Sequence, residues 1–240
     1  MVRASLPTDR RSPTDVTDFA LLPAVEIETG PSPDATVIFL HGLGDDGYGW
    51  SDVVPALGLP ATMRVRFLFP HAPEMAVTIN GGYVMPAWYD LVEADFNARA
   101  DMAGVRTSRA HVDHLIARER KRGIAHQRIV LGGFSQGGAI ALYAGLRHPV
   151  RLAGLVALST YLVDPASLAE EAAPANRDVP IFMAHGSEDE VVRYHWGEAS
   201  RLALENHGWS VAWQRYAMGH AANADEIAAV GRFIEQVLAD

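Results

Sequence analysis

The sequence predicts an α/β fold, a mostly parallel central sheet with helices on both faces. Three observations carry that expectation. Short apolar, often β-branched runs alternate with longer segments of helical spacing from about residue 24 onward. Most of these runs end in glycine, proline or a His-Gly pair, the punctuation expected where strands stop. At residues 129–138 a strand-like run passes through glycines directly into an Ala/Leu-rich segment, the pattern of a tight strand-to-helix turn.

Taken in order, Ala24–Glu28 and 36–40 read as the first strands, separated by a turn at Gly30-Pro31-Ser32-Pro33-Asp34. The second carries Val37, Ile38 and Phe39 and runs into His41-Gly42-Leu43-Gly44-Asp45. A short helix is expected over 50–56 and another strand over 65–69, terminated by Pro70. From His71 to about Ala100 regular spacing is lost. Pro73, Gly81-Gly82, Pro86 and the aromatics Tyr83, Trp88 and Tyr89 predict an irregular loop covering the site, too aromatic to be disordered. Helical spacing resumes over 104–122, ends in a basic turn (Arg118, Arg120, Lys121, Arg122) and stops at Gly123. The run Ile129-Val130-Leu131 predicts a buried strand, followed by a helix beginning over 139–146. Strands over 152–158 and 179–184, a helix over 193–207 stopped by Gly208, a strand over Val211–Tyr216 and an amphipathic helix over Ala224–Leu238 complete the pattern.

The 240 residues suit one α/β domain over 19–240, with 1–18 an ill-ordered extension carrying Arg3, Arg10, Arg11 and two prolines. That extension lacks the apolar core of a secretory signal, and no run is long and apolar enough to span a bilayer, so a cytoplasmic location is expected. A formal charge of −9 argues against nucleic acid or an anionic membrane as partner. The absence of cysteine excludes disulfides, a cysteine nucleophile and thiolate zinc sites.

Gly133-Phe134-Ser135-Gln136-Gly137 fits the Gly-x-Ser-x-Gly nucleophile elbow. Its chemistry requires a sharp turn that lifts the serine hydroxyl clear of the sheet. The flanking positions must be glycine because a Cβ would collide with the neighbouring strand or helix. A serine hydroxyl also needs a base within hydrogen-bond reach and an acid that fixes the base's tautomer. In hydrolases of this architecture the order is Ser, then Asp or Glu, then His. Past the 179–184 strand come Glu188, Asp189 and Glu190; past the last strand comes Met218-Gly219-His220. Sites in parallel sheets gather at the carboxyl ends of strands, and these groups stand there. Spacing alone does not separate Asp189 from its two neighbours.

Of the ten histidines, His220 is the expected base. His41 and His71 also follow strands but precede the serine, and His185 precedes the acid cluster and is read as shaping that loop. His111 and His114 flank Asp113 on the 104–122 helix, without a third ligand at diagnostic spacing, and no metal site is expected. An oxyanion hole needs two aligned N–H groups. The first is expected from Gln136, the residue after the nucleophile, and the second from Leu43, with Gly42 as the alternative.

At these residues the chain resembles the phospholipase/carboxylesterase family of α/β hydrolases, which includes acyl-protein thioesterases and small bacterial carboxylesterases. The resemblance runs in order from about Thr36 to the C-terminus through Phe39-Leu40-His41-Gly42-Leu43-Gly44-Asp45, Phe69-Pro70-His71-Ala72-Pro73, Gly81-Gly82-Tyr83-Val84-Met85 and Ala87-Trp88-Tyr89-Asp90. It continues through Gly132–Gly138, His185-Gly186 with Asp189, and Met218-Gly219-His220. It implies an α/β-hydrolase fold without a large separate lid domain and a cofactor-free esterase or thioesterase. Its nucleophile, acid and base would be Ser135, Asp189 and His220, and its oxyanion donors Leu43 and Gln136. Glu190 and Ala221 depart from the family pattern next to the acid and the base.

The acyl groove is expected to be apolar, lined by Leu43, Val77, Ile79, Tyr83, Met85 and Trp88. A short-to-medium-chain carboxylesterase is the expected function, although these residues do not set the groove's length. A long-chain acyl-protein thioesterase or lysophospholipase is the alternative, and an inactive hydrolase-like binding module is the reading from another class. The partner is a small-molecule ester or thioester, and an apolar rim around the groove would support a weak homodimer.

Overall fold

The computed structural model describes residues 21–93 and 100–239, and the expected extension over 1–18 lies outside the described residues. The main sheet has seven strands: β1 (Ala24–Glu28), β2 (Ala35–Leu40), β3 (Val65–Pro70), then β6 (Ile129–Phe134), β7 (Gly154–Leu158), β8 (Ile181–Gly186) and β9 (Val211–Tyr216). Between β3 and β6 lie β4 (Glu74–Val77) and β5 (Tyr83–Pro86), paired only with each other. The spatial order is β1-β3-β2-β6-β7-β8-β9, parallel throughout except for β1 against β3. The helices are α1 (Met102–Lys121), α2 (Gln136–Arg147), the single turn α3 (Leu168–Glu171), α4 (Tyr194–Asn206) and α5 (Ala224–Leu238).

Both faces of the sheet are covered because its strands are apolar on both sides, as parallel strands must be. Along β2, Val37 and Phe39 enter the core beneath α5 and the 3₁₀ turn Ser51–Leu57, whereas Ile38 and Leu40 enter the core beneath α1, α2 and α4. Each fully buried side chain of this size contributes about 1.5–3 kcal/mol relative to exposure. The sheet is thereby clamped between two apolar layers, and its carboxyl edge is held in one geometry.

The short helix expected over 50–56 forms as a 3₁₀ helix over Ser51–Leu57, with Pro55 inside it. One expectation needs correction. The segment 71–100 is not wholly irregular: β4 and β5 form a hairpin in register Val77↔Tyr83 and Glu74↔Pro86. Its turn, Thr78–Asn80, is followed by Gly81 and Gly82 at φ 66° and 80°. Seven of the hairpin's eight strand residues are exposed or half-buried, so no buried–exposed alternation marked them.

Away from the carboxyl edge, Glu119 of α1 is fully buried and holds the Thr36 hydroxyl at 3.0 Å and Arg66 at 2.8 Å. Arg118 and Arg122 approach its other oxygen at 3.2 Å. These partners keep its carboxyl below the usual range against the opposing effect of burial, so α1 is tied ionically to β2 and β3.

Candidate active site

β6 ends in glycines that let α2 begin immediately above it. A Cβ at Gly137 would run into the carbonyl oxygens of Leu40 and His41, and one at Gly133 into the Gly137 backbone. The turn between them holds Ser135 at φ 54°, ψ −122°, a strained conformation for a residue with a side chain. The surroundings enforce it: Ser135 N–H donates to Leu158 O at 2.9 Å, and the Thr160 hydroxyl donates to Ser135 O at 2.6 Å. Both partners stand at the end of β7, so the neighbouring strand fixes the elbow.

Two loops, after β9 and β8, line up a hydrogen-bonded chain on Ser135 Oγ. His220 follows β9, and its Nε2 lies 2.9 Å from the hydroxyl. On the other side of the ring, Nδ1 lies 2.7 Å from Asp189 Oδ2, past the end of β8. The carboxylate can only accept, so the imidazole proton sits on Nδ1 and Nε2 is free to take the serine proton. Asp189 Oδ1 accepts the N–H groups of Val191 and Val192, each at 2.9 Å. Asp189 is 5% exposed, while Glu188 and Glu190 face solvent. The two loops are stitched together by Ser187 N–H to Tyr216 O at 2.7 Å and Glu188 N–H to Met218 O at 3.0 Å. Phe134 packs against the His220 ring at 4.7 Å between centroids.

His185 is buried beneath the acid loop. Its Nε2–H donates to Val192 O at 2.7 Å and faces Asp189 Oδ2 at 3.5 Å. Burial lowers its pKa, which leaves the ring neutral. It shapes this loop, as its place in the sequence suggests.

Above Ser135 opens a cavity of about 420 Å³ whose wall includes Leu43, Gln136 and His220. Among the described residues, the backbone N–H groups of Leu43 and Gln136 donate to no acceptor. Gln136 N–H belongs to the first residue of α2, where the helix terminus adds positive potential.

Residues 23–238 fit the profile described as Phospholipase/Carboxylesterase. The chain belongs to that family. Acyl-protein thioesterase 1 of Neurospora crassa is 43% identical over 227 residues, covering 91% of each chain. Among solved structures, Zea mays acyl-protein thioesterase 2 superposes with a TM-score of 0.80 at 31% identity, covering 90% of this chain and 99% of that one. Arabidopsis thaliana SOBER1 gives 0.80 at 28% identity, covering 85% and 99%. The fold is that of the α/β hydrolases, and the chain is a serine hydrolase acting on ester or thioester bonds.

Within this family member the expected groove needs correction. Of Leu43, Val77, Ile79, Tyr83, Met85 and Trp88, only Leu43 lies in the cavity wall. Val77 and Trp88 are buried, with 0% and 1% exposure. Ile79 and Tyr83 face solvent on the hairpin, and Met85 accepts a weak bond from Asn80. The apolar wall comes instead from Trp50, Leu91, Phe134, Tyr161, Val191 and Val192. These residues lie on five separate segments, and no periodicity links them. Tyr161 is fixed by a short hydrogen bond to the buried Tyr89 hydroxyl.

Proposed function

We propose that this enzyme hydrolyses carboxylic esters of short-to-medium acyl chains through an acyl-enzyme on Ser135. The observation that carries the reading is the unbroken hydrogen-bonded chain Ser135–His220–Asp189 on the floor of an apolar cavity. In the first half-reaction, Ser135 Oγ bonds to the acyl carbon as its proton passes to His220 Nε2. The carbonyl π electrons move onto oxygen, and the oxyanion is held by Leu43 and Gln136 N–H. Its collapse expels the alcohol or thiol, which takes the proton from Nε2. Water then gives a proton to Nε2 and attacks the acyl carbon. The second collapse releases the carboxylic acid while Ser135 Oγ recovers its proton. Asp189 stays ionised and stabilises the imidazolium.

A cavity of about 420 Å³ stands at the small end of ligand sites, which supports short and medium chains over long ones. A second reading, a thioesterase acting on lipidated protein, is favoured by the 43% identical relative named acyl-protein thioesterase 1. An inactive binding module is disfavoured because nucleophile, base and acid are all present and within hydrogen-bond distance. We place the enzyme in the cytoplasm, with a small acyl compound rather than nucleic acid as partner, the latter supported by the net charge of −9.

Hydrolysis of p-nitrophenyl esters from acetate to palmitate, beside matched acyl thioesters, tests the proposal with Ser135→Ala as blank. A maximum at short or medium chains with oxyesters preferred is expected. Rates rising toward palmitate, or strong thioester preference, would replace it with the second reading. Activity surviving in Ser135→Ala would overturn the mechanism.

A further inference from the structure

The two proposed oxyanion donors lie on different elements, Leu43 on the loop after β2 and Gln136 at the start of α2, and the stabilisation they give depends on their separation. We propose that Trp88 sets that separation, acting with His41 and the Gln136 side chain as one buried frame. Trp88 is thus a positioning residue rather than part of the acyl wall. The inference rests on the esterase reading above.

The frame starts at His41. Its Nδ1–H donates to Gly42 O at 2.7 Å, and Nε2 accepts Ala72 N–H at 3.1 Å. Both ring nitrogens are thus assigned, the ring is neutral, and burial lowers its pKa accordingly. Gly42 O and Leu43 N–H share one peptide plane, and there is no cis bond among the described residues. Holding the carbonyl toward the imidazole therefore turns Leu43 N–H the opposite way. The chain continues through His41 O, which accepts the Trp88 indole N–H at 2.8 Å. Trp88 N–H then donates to Gln136 Oε1 at 2.8 Å, and Gln136 Nε2–H donates to Tyr89 O at 2.7 Å. Ser108 Oγ donates to Trp88 O and ties the frame to α1.

His41, Trp88 and Gln136 are each 1% exposed. Every bond in the path lies out of water, where polar groups hold one another firmly and an orphaned partner is costly. The residue that closes the path must fill an aromatic-sized space and also present a ring N–H donor. Tryptophan does both and phenylalanine only the first. The frame makes the hole rigid before substrate arrives, and preorganised donors lower the barrier for that reason.

The test uses Trp88→Phe and Gln136→Met, singly and together, with p-nitrophenyl butyrate. Gln136→Met removes both side-chain bonds and keeps the backbone N–H. The readouts are kcat, KM, the thermal midpoint, and affinity for an alkyl trifluoromethyl ketone, whose adduct with Ser135 carries the oxyanion. Complete loss of a donor costs on the order of 10²–10³ in turnover, so misplacing one is expected to lower kcat by about 10–100-fold. KM should stay within about twofold, and ketone affinity should fall in step with kcat. The double variant should lose less than the product of the two single losses, because both act on one network. Folded variants with unchanged kcat would overturn the inference, as would a loss in KM with ketone affinity intact. If Trp88→Phe does not fold, Gln136→Met decides by the same criteria. A wild-type enzyme without esterase activity would defeat the underlying esterase reading. An active wild type with a silent Ser135→Ala and an unaffected frame defeats only this inference.

Discussion

Replacing Asp189 by asparagine changes one atom, and the structure dictates where that atom goes. Oδ1 accepts two backbone N–H groups, from Val191 and Val192, so the amide oxygen must stay there. The new NH₂ then occupies the Oδ2 position, 2.7 Å from His220 Nδ1. A donor at that point selects the tautomer with Nδ1 bare and the proton on Nε2, which now faces Ser135 Oγ at 2.9 Å. The base arrives already protonated. The stabilisation of the imidazolium by a carboxylate is lost as well. In a serine protease the equivalent exchange lowers kcat by about 10⁴, or roughly 5 kcal/mol of barrier, and a similar loss is expected here. The assay is initial-rate hydrolysis of p-nitrophenyl butyrate across pH 6–9, with active-site titration to count competent enzyme. Glu188→Gln and Glu190→Gln are the controls. Both side chains face solvent, and their variants should stay within about twofold, as surface changes usually do. Asp189→Asn within tenfold of wild type, or a large loss in either control, would refute the assignment of the acid.

Two further outcomes concern stability. Glu119→Ala should destabilise by about 3–5 kcal/mol, measured by urea unfolding, because it strands Arg66 and the Thr36 hydroxyl around a buried void. Activity per folded molecule should be unchanged, since the network lies away from the carboxyl edge that carries the site. Glu226, in the first turn of α5, is fully buried, and the Asn223 backbone N–H near its carboxylate only partly offsets that burial. Burial pushes its pKa from 4.5 up to about 7. The folded state therefore holds this proton more tightly than the unfolded chain. The protein loses stability as pH rises from about 4.5 through about 7, by roughly 3 kcal/mol in all. Glu226→Gln should flatten unfolding free energy over that window and be the more stable protein at pH 8. A slope unchanged by the substitution would refute it.

The strands were legible because the physics that forms them is local. Val37-Ile38-Phe39 and Ile129-Val130-Leu131 are β-branched or aromatic, and glycine or proline marks where pairing ends. The elbow was legible for a related reason: its glycines are dictated by contacts with the adjoining strand end and helix, close in sequence or in sheet order. What the sequence did not reveal depends on which distant surface a side chain meets. Trp88 reads like a pocket aromatic, yet its indole is spent on His41 O, 47 residues away. Glu119 stands in a charged helical turn among four cations, and nothing there marks it as the one side chain of that turn turned into the core. The hairpin β4–β5 escaped because four-residue strands with mostly exposed side chains carry no periodic signal.

The proposed nucleophile and base, Ser135 and His220, follow strands with very different anchorage. β6 is bracketed by β2 and β7 and buried on both faces, whereas β9 is an edge strand, paired only with β8, and none of its six residues is fully buried. Local opening at an edge takes far less free energy than opening at a sheet centre. On the proposed mechanism, a transferred acyl group is thus stored next to a central, buried strand, while the group that discharges it follows an edge strand. A brief fraying of β9 would leave the covalent intermediate intact and suspend its hydrolysis until the edge re-forms. As temperature rises, acylated enzyme should therefore accumulate before the core melts.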